Sequence, residues 1–292
     1  MIRNRAGVTL PFSVETLATS LRVAGVDAPT AFRLAGQLVD GLHQRHEHEL
    51  SSGDLAELAA AVLEAEVGAS GAERFRAWRR FRHSGRPLVL CLMGAPGVGK
   101  STVATRLAEP LGVRRVIPTD GLREVLRTTI PESALPELHL PAHATLGRDR
   151  AGAAQGFHRQ ASAVCGAAAA VAGRMVDERR SVILVGSHLV PGGVRAALAA
   201  RGSDALVLEL LLTLQDESLH RGLMMRRMRS DPAGSGAGHV IRFDAVRSLQ
   251  AELIDMARAA GVTWQDLVGP ERVIEWIVDH VVAETEAVAI RS

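Results

Sequence analysis

Apolar residues recur at three- and four-residue intervals through the first 84 positions, then from Leu88 onward gather into short unbroken runs separated by stretches that return to helical spacing. The first region predicts helices from Ser13 to Ala24, Ala28 to His43, Ser52 to Glu66 and Ala72 to Phe81, each opened or flanked by Ser, Asp or Gly. Within the last of these, Phe75, Trp78 and Phe81 are spaced i, i+3, i+6 and predict an apolar contact face. Its basic rim of Arg74, Arg76, Arg79, Arg80 and Arg82 is either solvated or a hold for nucleotide phosphate. The helical period stops at His83-Ser-Gly-Arg-Pro87, a turn signal, so a helical domain over 1–84 and a second domain over 85–292 are expected.

In the second region the apolar runs Leu88–Met93, Val113–Pro118, Ser181–Val185 and Leu206–Leu214 read as strands. Val103–Leu107, Gly156–Glu178, Asp244–Ala260 and Glu271–Ala287 read as helices. Alternation of this kind predicts an α/β domain, a parallel sheet flanked by helices on both faces. The alanine-rich stretch Gly166–Gly173 is expected to be a tightly packed helix, and no internal repeat is visible.

Composition narrows the class. With 47% hydrophobic and 23% charged residues, the 292-residue chain is an ordinary globular one. A formal net charge of +2, 3% aromatics and no tyrosine argue against a nucleic-acid binder, which needs a stronger basic field or base-stacking rings. Cys91 and Cys165 fall in predicted core elements and read as small hydrophobes in a reducing compartment. The start MIRNRAGVTLPF carries no signal-peptide apolar stretch and no segment is long and apolar enough for a membrane span, so a cytoplasmic protein is expected.

One lysine, Lys100, stands among the 34 lysine and arginine residues. It lies in Gly94-Ala95-Pro96-Gly97-Val98-Gly99-Lys100-Ser101-Thr102, directly after the predicted strand Leu88–Met93 and at the start of a predicted helix. This is the Walker A spacing. Glycine amides cradle the α/β-phosphates of a nucleotide such as ATP, the lysine reaches the β/γ-phosphates, and the serine hydroxyl ligates Mg2+.

In an open parallel sheet, ligands sit beyond the carboxyl ends of the strands, so the residues that follow each run are the ones to inspect. After the second strand, Asp120, Arg123 and Arg127 set a carboxylate beside the phosphates and two guanidiniums one helical turn apart on one face. Asp120 suits the proton of an acceptor hydroxyl, or a magnesium held through water, and the arginines suit an anionic acceptor. A solvated helix start with Asp120 as its cap is the plainer alternative. The third strand leads into Gly186-Ser187-His188, where His188 is a candidate acceptor contact. Beyond the fourth strand, Arg221, Arg226, Arg227 and Arg229 crowd a short helical segment followed by Ser230-Asp-Pro-Ala-Gly-Ser-Gly-Ala-Gly238, the pattern of an arginine-bearing lid. Such arginines stabilise charge on a phosphoryl group in transfer, a role assigned to Arg226, with Arg221 and Arg227 on the nucleotide.

The succession GAPGVGKS, VIPTDGLREVLR, PELH, GSHLVPGG, an arginine lid and HVIRFDAVRSLQAELIDMA resembles the archaeal-type 2-phosphoglycerate kinase family over nearly the whole chain. The resemblance implies ATP-dependent phosphorylation of the 3-hydroxyl of 2-phosphoglycerate to 2,3-bisphosphoglycerate. It also implies an N-terminal ATP-cone-like domain, matched here by LPFSVETLATSLRVAGVDAPTAFRLAGQLVDGL and AERFRAWRRFR. It places Gly94 to Thr102 on ATP and magnesium, Asp120, Arg123 and Arg127 on the acceptor, and Arg221, Arg226 and Arg227 in the lid. Two departures stand out. Val185 precedes Gly186-Ser187-His188 where the family carries an acid, and Leu140-Pro141-Ala142-His143 follows His139 where the family is rich in Ser and Tyr.

The leading expectation is therefore a cytoplasmic, magnesium-dependent small-molecule kinase with ATP and a small anionic acceptor as partners, either monomeric or a homo-oligomer. A kinase retargeted to another hydroxy acid or secondary metabolite, a zeta-toxin-like or antibiotic-modifying phosphotransferase, and a nucleotide-binding regulator with a degenerate catalytic half are the alternatives.

Overall fold

The structure is a computed structural model that describes residues 2–3, 9–10, 13–44, 50–145, 150–230, 242–266 and 269–289. The chain forms two compact units. One comprises 1–86, 109–112 and 269–292; the other comprises 87–108 and 113–268.

The first unit joins a small mixed sheet to a helical core. Strand β1 (Ile2–Arg3) pairs antiparallel with β2 (Thr9–Leu10) and parallel with β3 (Leu50–Ser51). Helix α1 (Val14–Leu21) starts where the Ser13 hydroxyl accepts the Thr16 amide proton at 3.1 Å. A 3-10 turn follows and ends at Gly25, whose φ of 90° continues no helix. Asp27 then caps α2 (Ala28–Gln44) through the Thr30 amide at 2.8 Å. Helix α3 (Ser52–His83) breaks at Gly68, where φ 81° and ψ 177° interrupt it, so the two helices expected from the sequence meet at a kink.

Phe75, Trp78 and Phe81 are buried as their spacing requires, with the Trp78 and Phe81 rings 5.5 Å apart. Their arginine rim is engaged by protein groups. Arg74 pairs with Asp279, Arg76 with Glu57 and Arg80 with Glu73, while Arg82 donates to the carbonyls of Leu111 and Gly112. The C-terminal helix, Pro270–Ala289, buries Val273, Ile274 and Ile277. It belongs to this first unit, so the units do not divide at the single boundary 84/85 expected from the sequence.

The second unit is built on five parallel strands, β4 (Leu88–Met93), β5 (Val116–Pro118), β6 (Val182–Gly186), β7 (Leu206–Thr213) and β8 (Thr263–Asp266), in the order β5-β6-β4-β7-β8. The central strands β4 and β6 are buried throughout, which is why they read as unbroken apolar runs. Strand β8 is an exposed edge of Thr, Trp, Gln and Asp, and its polarity hid it from the hydrophobic pattern.

Among the described residues six further helices belong to the unit: α4 (Lys100–Ala108), α5 (Thr119–Thr129), α6 (Arg150–Asp177), α7 (Gly193–Ala200), α8 (Glu217–Ser230) and α9 (Phe243–Ala259). The alanine-rich stretch lies inside α6, where Ala161, Ala168, Ala169 and Ala172 pack in one core cluster with Val89, Cys91, Val182 and Leu184 of the sheet. The connection after β4 leads to one edge of the sheet and the one after β7 to the other. Their neighbouring carboxyl ends therefore flank a crevice of the kind in which α/β sheets bind ligands.

Candidate active site

The loop between β4 and α4 takes its shape from three glycines at φ values closed to other residues: 152° at Gly94, 86° at Gly97 and 84° at Gly99. Gly94 is also a close approach, since a β-carbon there would come within 2.5 Å of the Leu212 carbonyl oxygen on β7. The first helical bond of α4 runs from the Val103 amide to the Gly99 carbonyl at 3.1 Å. Ser101 and Thr102 in the first turn are exposed, while Val98 is buried under the loop. Lys100 folds back so that Nζ donates to the Ala95 carbonyl at 3.0 Å. Loss of water pulls its pKa down to about 8, an effect the Asp120 carboxylate opposes and the Arg227 guanidinium reinforces.

At the end of β5, Pro118 is the cap residue of α5, so Asp120 lies in the first helical turn and is not the cap of the plainer reading. Its carboxylate is 78% exposed and stands 3.6 Å from His188 Nδ1. His188 itself is buried, with Nδ1 3.1 Å from the buried Thr119 hydroxyl. Burial pushes its pKa down to about 4 against the pull of Asp120, so the ring is neutral at physiological pH. Arg123 and Lys100 push in the same direction as burial.

The two arginines of α5 have different partners. Arg123 donates to the carbonyls of Leu138 at 3.0 Å and Leu140 at 3.2 Å, and to Glu124 at 2.5 Å, so it braces the 3-10 turn Pro136–His139. Gln160 of α6 holds the same turn, donating to the carbonyls of Glu137 at 2.6 Å and Leu140 at 2.7 Å. Arg127 reaches Glu124 at 2.8 Å and is the more exposed of the two.

Helix α8 lies against the phosphate loop. His220 is buried with Nε2 2.8 Å from the Pro96 carbonyl, and Met224 occupies the space beside Gly97 where a β-carbon would come within 2.4 Å of its Cγ. Residues 220, 224 and 227 share one helical face, so Arg227 points the same way, in keeping with its effect on Lys100. Arg226, about 100° round the helix from it, is exposed as Arg227 is, and Arg221 stacks over the Phe243 ring at 4.2 Å. The glycine-rich stretch of the expected lid, residues 231–241, lies outside the described residues.

No protein-family model matches the chain. It is 30% identical to the 2-phosphoglycerate kinase of Pyrococcus horikoshii, with the alignment covering 95% of this chain and 92% of that one. The 2-phosphoglycerate kinase of Methanothermobacter thermautotrophicus is 30% identical over 87% of this chain and 84% of its own. The chain belongs to the 2-phosphoglycerate kinase family. Among solved structures it is similar to a gluconokinase from Sinorhizobium meliloti, at 20% identity over 70% of this chain and 98% of that one, with a TM-score of 0.42.

As a member of the 2-phosphoglycerate kinase family the chain is a phosphotransferase with a P-loop nucleotide site, and the structure shows how its third strand ends without an acid. Val185 is buried and pairs with Pro118. At Gly186 a β-carbon would come within 1.7 Å of the Thr119 hydroxyl oxygen, so the hydroxyl occupies the side-chain space. A Gly186→Ala variant is expected to displace Thr119 and its bond to His188, costing about 1–3 kcal/mol as other overpacked cores do. The check is a lowered thermal midpoint together with reduced turnover.

Of the residues singled out from the sequence, Asp120 and Arg227 act on the charge of Lys100, and Asp120, Arg123 and Lys100 act on His188. Sequence reasoning missed His220, Met224, Gln160 and Thr119, whose roles depend on partners far along the chain.

Proposed function

We propose that this site transfers the γ-phosphoryl group of ATP to a hydroxyl of a small anionic acceptor, and that the acceptor is 2-phosphoglycerate, giving 2,3-bisphosphoglycerate. The observation that carries this reading is the convergence on Lys100. An ammonium held by the Ala95 carbonyl on a glycine-shaped loop, poorly solvated and acted on by the Asp120 carboxylate and the Arg227 guanidinium, supports a site that binds phosphate and offers a base. The acceptor comes from the names of the relatives, which align over most of the chain.

In the mechanism we infer, the glycine-shaped loop amides and Lys100 hold the β/γ-phosphates, and Arg227, on the loop-facing side of α8, spreads the charge that develops during transfer. This moves the transfer role from Arg226 to Arg227. Asp120 accepts the proton of the acceptor hydroxyl, and neutral His188 steadies it from the buried side. Arg127 takes the acceptor's anionic group, because Arg123 is committed to the Leu138 and Leu140 carbonyls. The Ser101 hydroxyl at the start of α4 is the fitting magnesium ligand. Among the described residues no three His, Cys, Asp or Glu side chains cluster to make a metal cage, which suits an ion held largely by nucleotide phosphates and water. When bound, that ion neutralises phosphate charge. The first unit is read as the ATP-cone-like domain and the protein as cytoplasmic; among the described residues no helix is long and apolar enough to cross a membrane.

The test is ADP release from ATP and magnesium with 2-phosphoglycerate, 3-phosphoglycerate, glycerate or lactate as acceptor, with Lys100→Ala as the blank. Turnover on 2-phosphoglycerate above the blank is expected. Turnover on another of the four would mean a retargeted acceptor site, and ATP binding with silence on all four a regulator. In the same assay Arg127→Ala is expected to raise the KM for the acceptor about 10- to 100-fold, the worth of a charge-assisted bond, with little change in the KM for ATP.

A further inference from the structure

A buried imidazole is a costly way to fill space beside a phosphate loop, since a leucine would pack there without a polar group to satisfy. His220 is fully buried, and both of its ring nitrogens face a polar group. The Pro96 carbonyl cannot donate, so Nε2 carries the proton of the 2.8 Å bond and Nδ1 is the acceptor. Nδ1 faces Arg247 Nη1 at 3.5 Å. Arg247, from α9, donates to the Leu214 carbonyl at 2.5 Å and the Gln215 carbonyl at 3.3 Å, and pairs with Glu217 at 3.4 Å. The stretch between β7 and α8 is thus tied to α9, and through His220 to the phosphate loop. The Phe243 ring stands edge-on to the imidazole at 5.4 Å.

The loop answers with shape. Gly97 leaves the room that Met224 fills, and a β-carbon there would also come within 3.1 Å of His220 Nε2. His220 and Met224 therefore set both the distance and the rotation of α8 against the loop. Arg227 follows at i+7 on the same face, and its charge acts on Lys100. A rotation of α8 by one residue would present Arg226 in its place.

We propose that His220 is a positioning residue for phosphoryl transfer: its bond to the Pro96 carbonyl locks the rotation of α8 so that Arg227 is delivered to the same phosphates as Lys100. This rests on the reading of Arg227 as part of the transfer machinery, and a 1 Å misplacement of such a group is known to be costly. A phenylalanine at 220 keeps the ring and its packing on Phe243 but loses the bond. A glutamine keeps an N–H donor.

The experiment uses the full chain with ATP, magnesium and 2-phosphoglycerate, comparing His220→Phe, His220→Gln, Arg227→Ala and the double variant His220→Phe/Arg227→Ala. We expect His220→Phe to lower kcat about tenfold, in line with one lost hydrogen bond, while the KM for ATP changes less than threefold. His220→Gln should recover most of that loss. The double variant should be no slower than Arg227→Ala alone, because the bond has nothing left to position. A readout without turnover is hydrogen exchange in the presence of a non-hydrolysable ATP analogue. The wild type should gain protection in both 94–102 and 217–227, and His220→Phe in 94–102 alone.

Wild-type kcat with joint protection of both segments in His220→Phe would overturn the proposal. So would losses that multiply in the double variant, or a glutamine no better than the phenylalanine. An unimpaired Arg227→Ala would remove the premise and the proposal with it, whereas an impaired Arg227→Ala beside an unimpaired His220→Phe would sink the proposal alone.

Discussion

A Lys100→Ala variant is expected to lose about 10²- to 10³-fold in kcat or more, the scale seen when one preorganised charge-stabilising donor is removed. The size follows from what surrounds the ammonium. Nζ is held by the Ala95 carbonyl at 3.0 Å, its pKa is drawn down to about 8 by loss of water, and no second lysine exists to replace it. A charge kept so poorly solvated is paid for by its ligand, so its removal is felt most when phosphate charge is greatest, in the transition state. The glycine-shaped loop remains, so the variant should still bind nucleotide, several-fold more weakly, by titration with a fluorescent ATP analogue. Wild-type turnover in Lys100→Ala would place the chemistry elsewhere.

Asp120→Asn is expected to cost about 10²- to 10⁴-fold in kcat, the range for loss of a general base, with nucleotide affinity near that of the wild type. The substitution is nearly isosteric, and Asp120 does not cap α5, so the fold should tolerate it with a loss of about 0.3–1 kcal/mol from the helix dipole. Its carboxylate is exposed on one side and 3.6 Å from His188 on the other, an arrangement that leaves an oxygen open to a substrate proton. Raising magnesium or exchanging it for manganese should not restore the rate if Asp120 takes the proton. Recovery by metal would assign it to metal binding instead. The steady-state rates of the variant across a magnesium series separate the two.

Both variants act on residues whose chemistry is local, and local chemistry was legible. Gly94, Gly97 and Gly99 are required by positive φ, and α4 starts at Lys100, all within nine consecutive residues. Asp120 stands out because it follows an apolar run at the carboxyl end of a strand. Strand β8 was missed, and β5 at the opposite edge of the sheet was overextended, because edge strands carry few buried positions to make a pattern. Arg123 and Arg127 look alike in sequence, one helical turn apart, and nothing local says that one is spent on the Leu138 and Leu140 carbonyls.

By itself, then, the amino-acid sequence determined the α/β class and the shape of the phosphate loop, since periodicity and backbone sterics operate over a few residues. Tertiary structure alone decided which unit receives the C-terminal helix, that Met224 fills the space beside Gly97, and that His220 bonds Pro96 from 124 positions away. Those choices depend on which surfaces meet, and a side chain's partner is set by packing between elements that sequence distance does not encode.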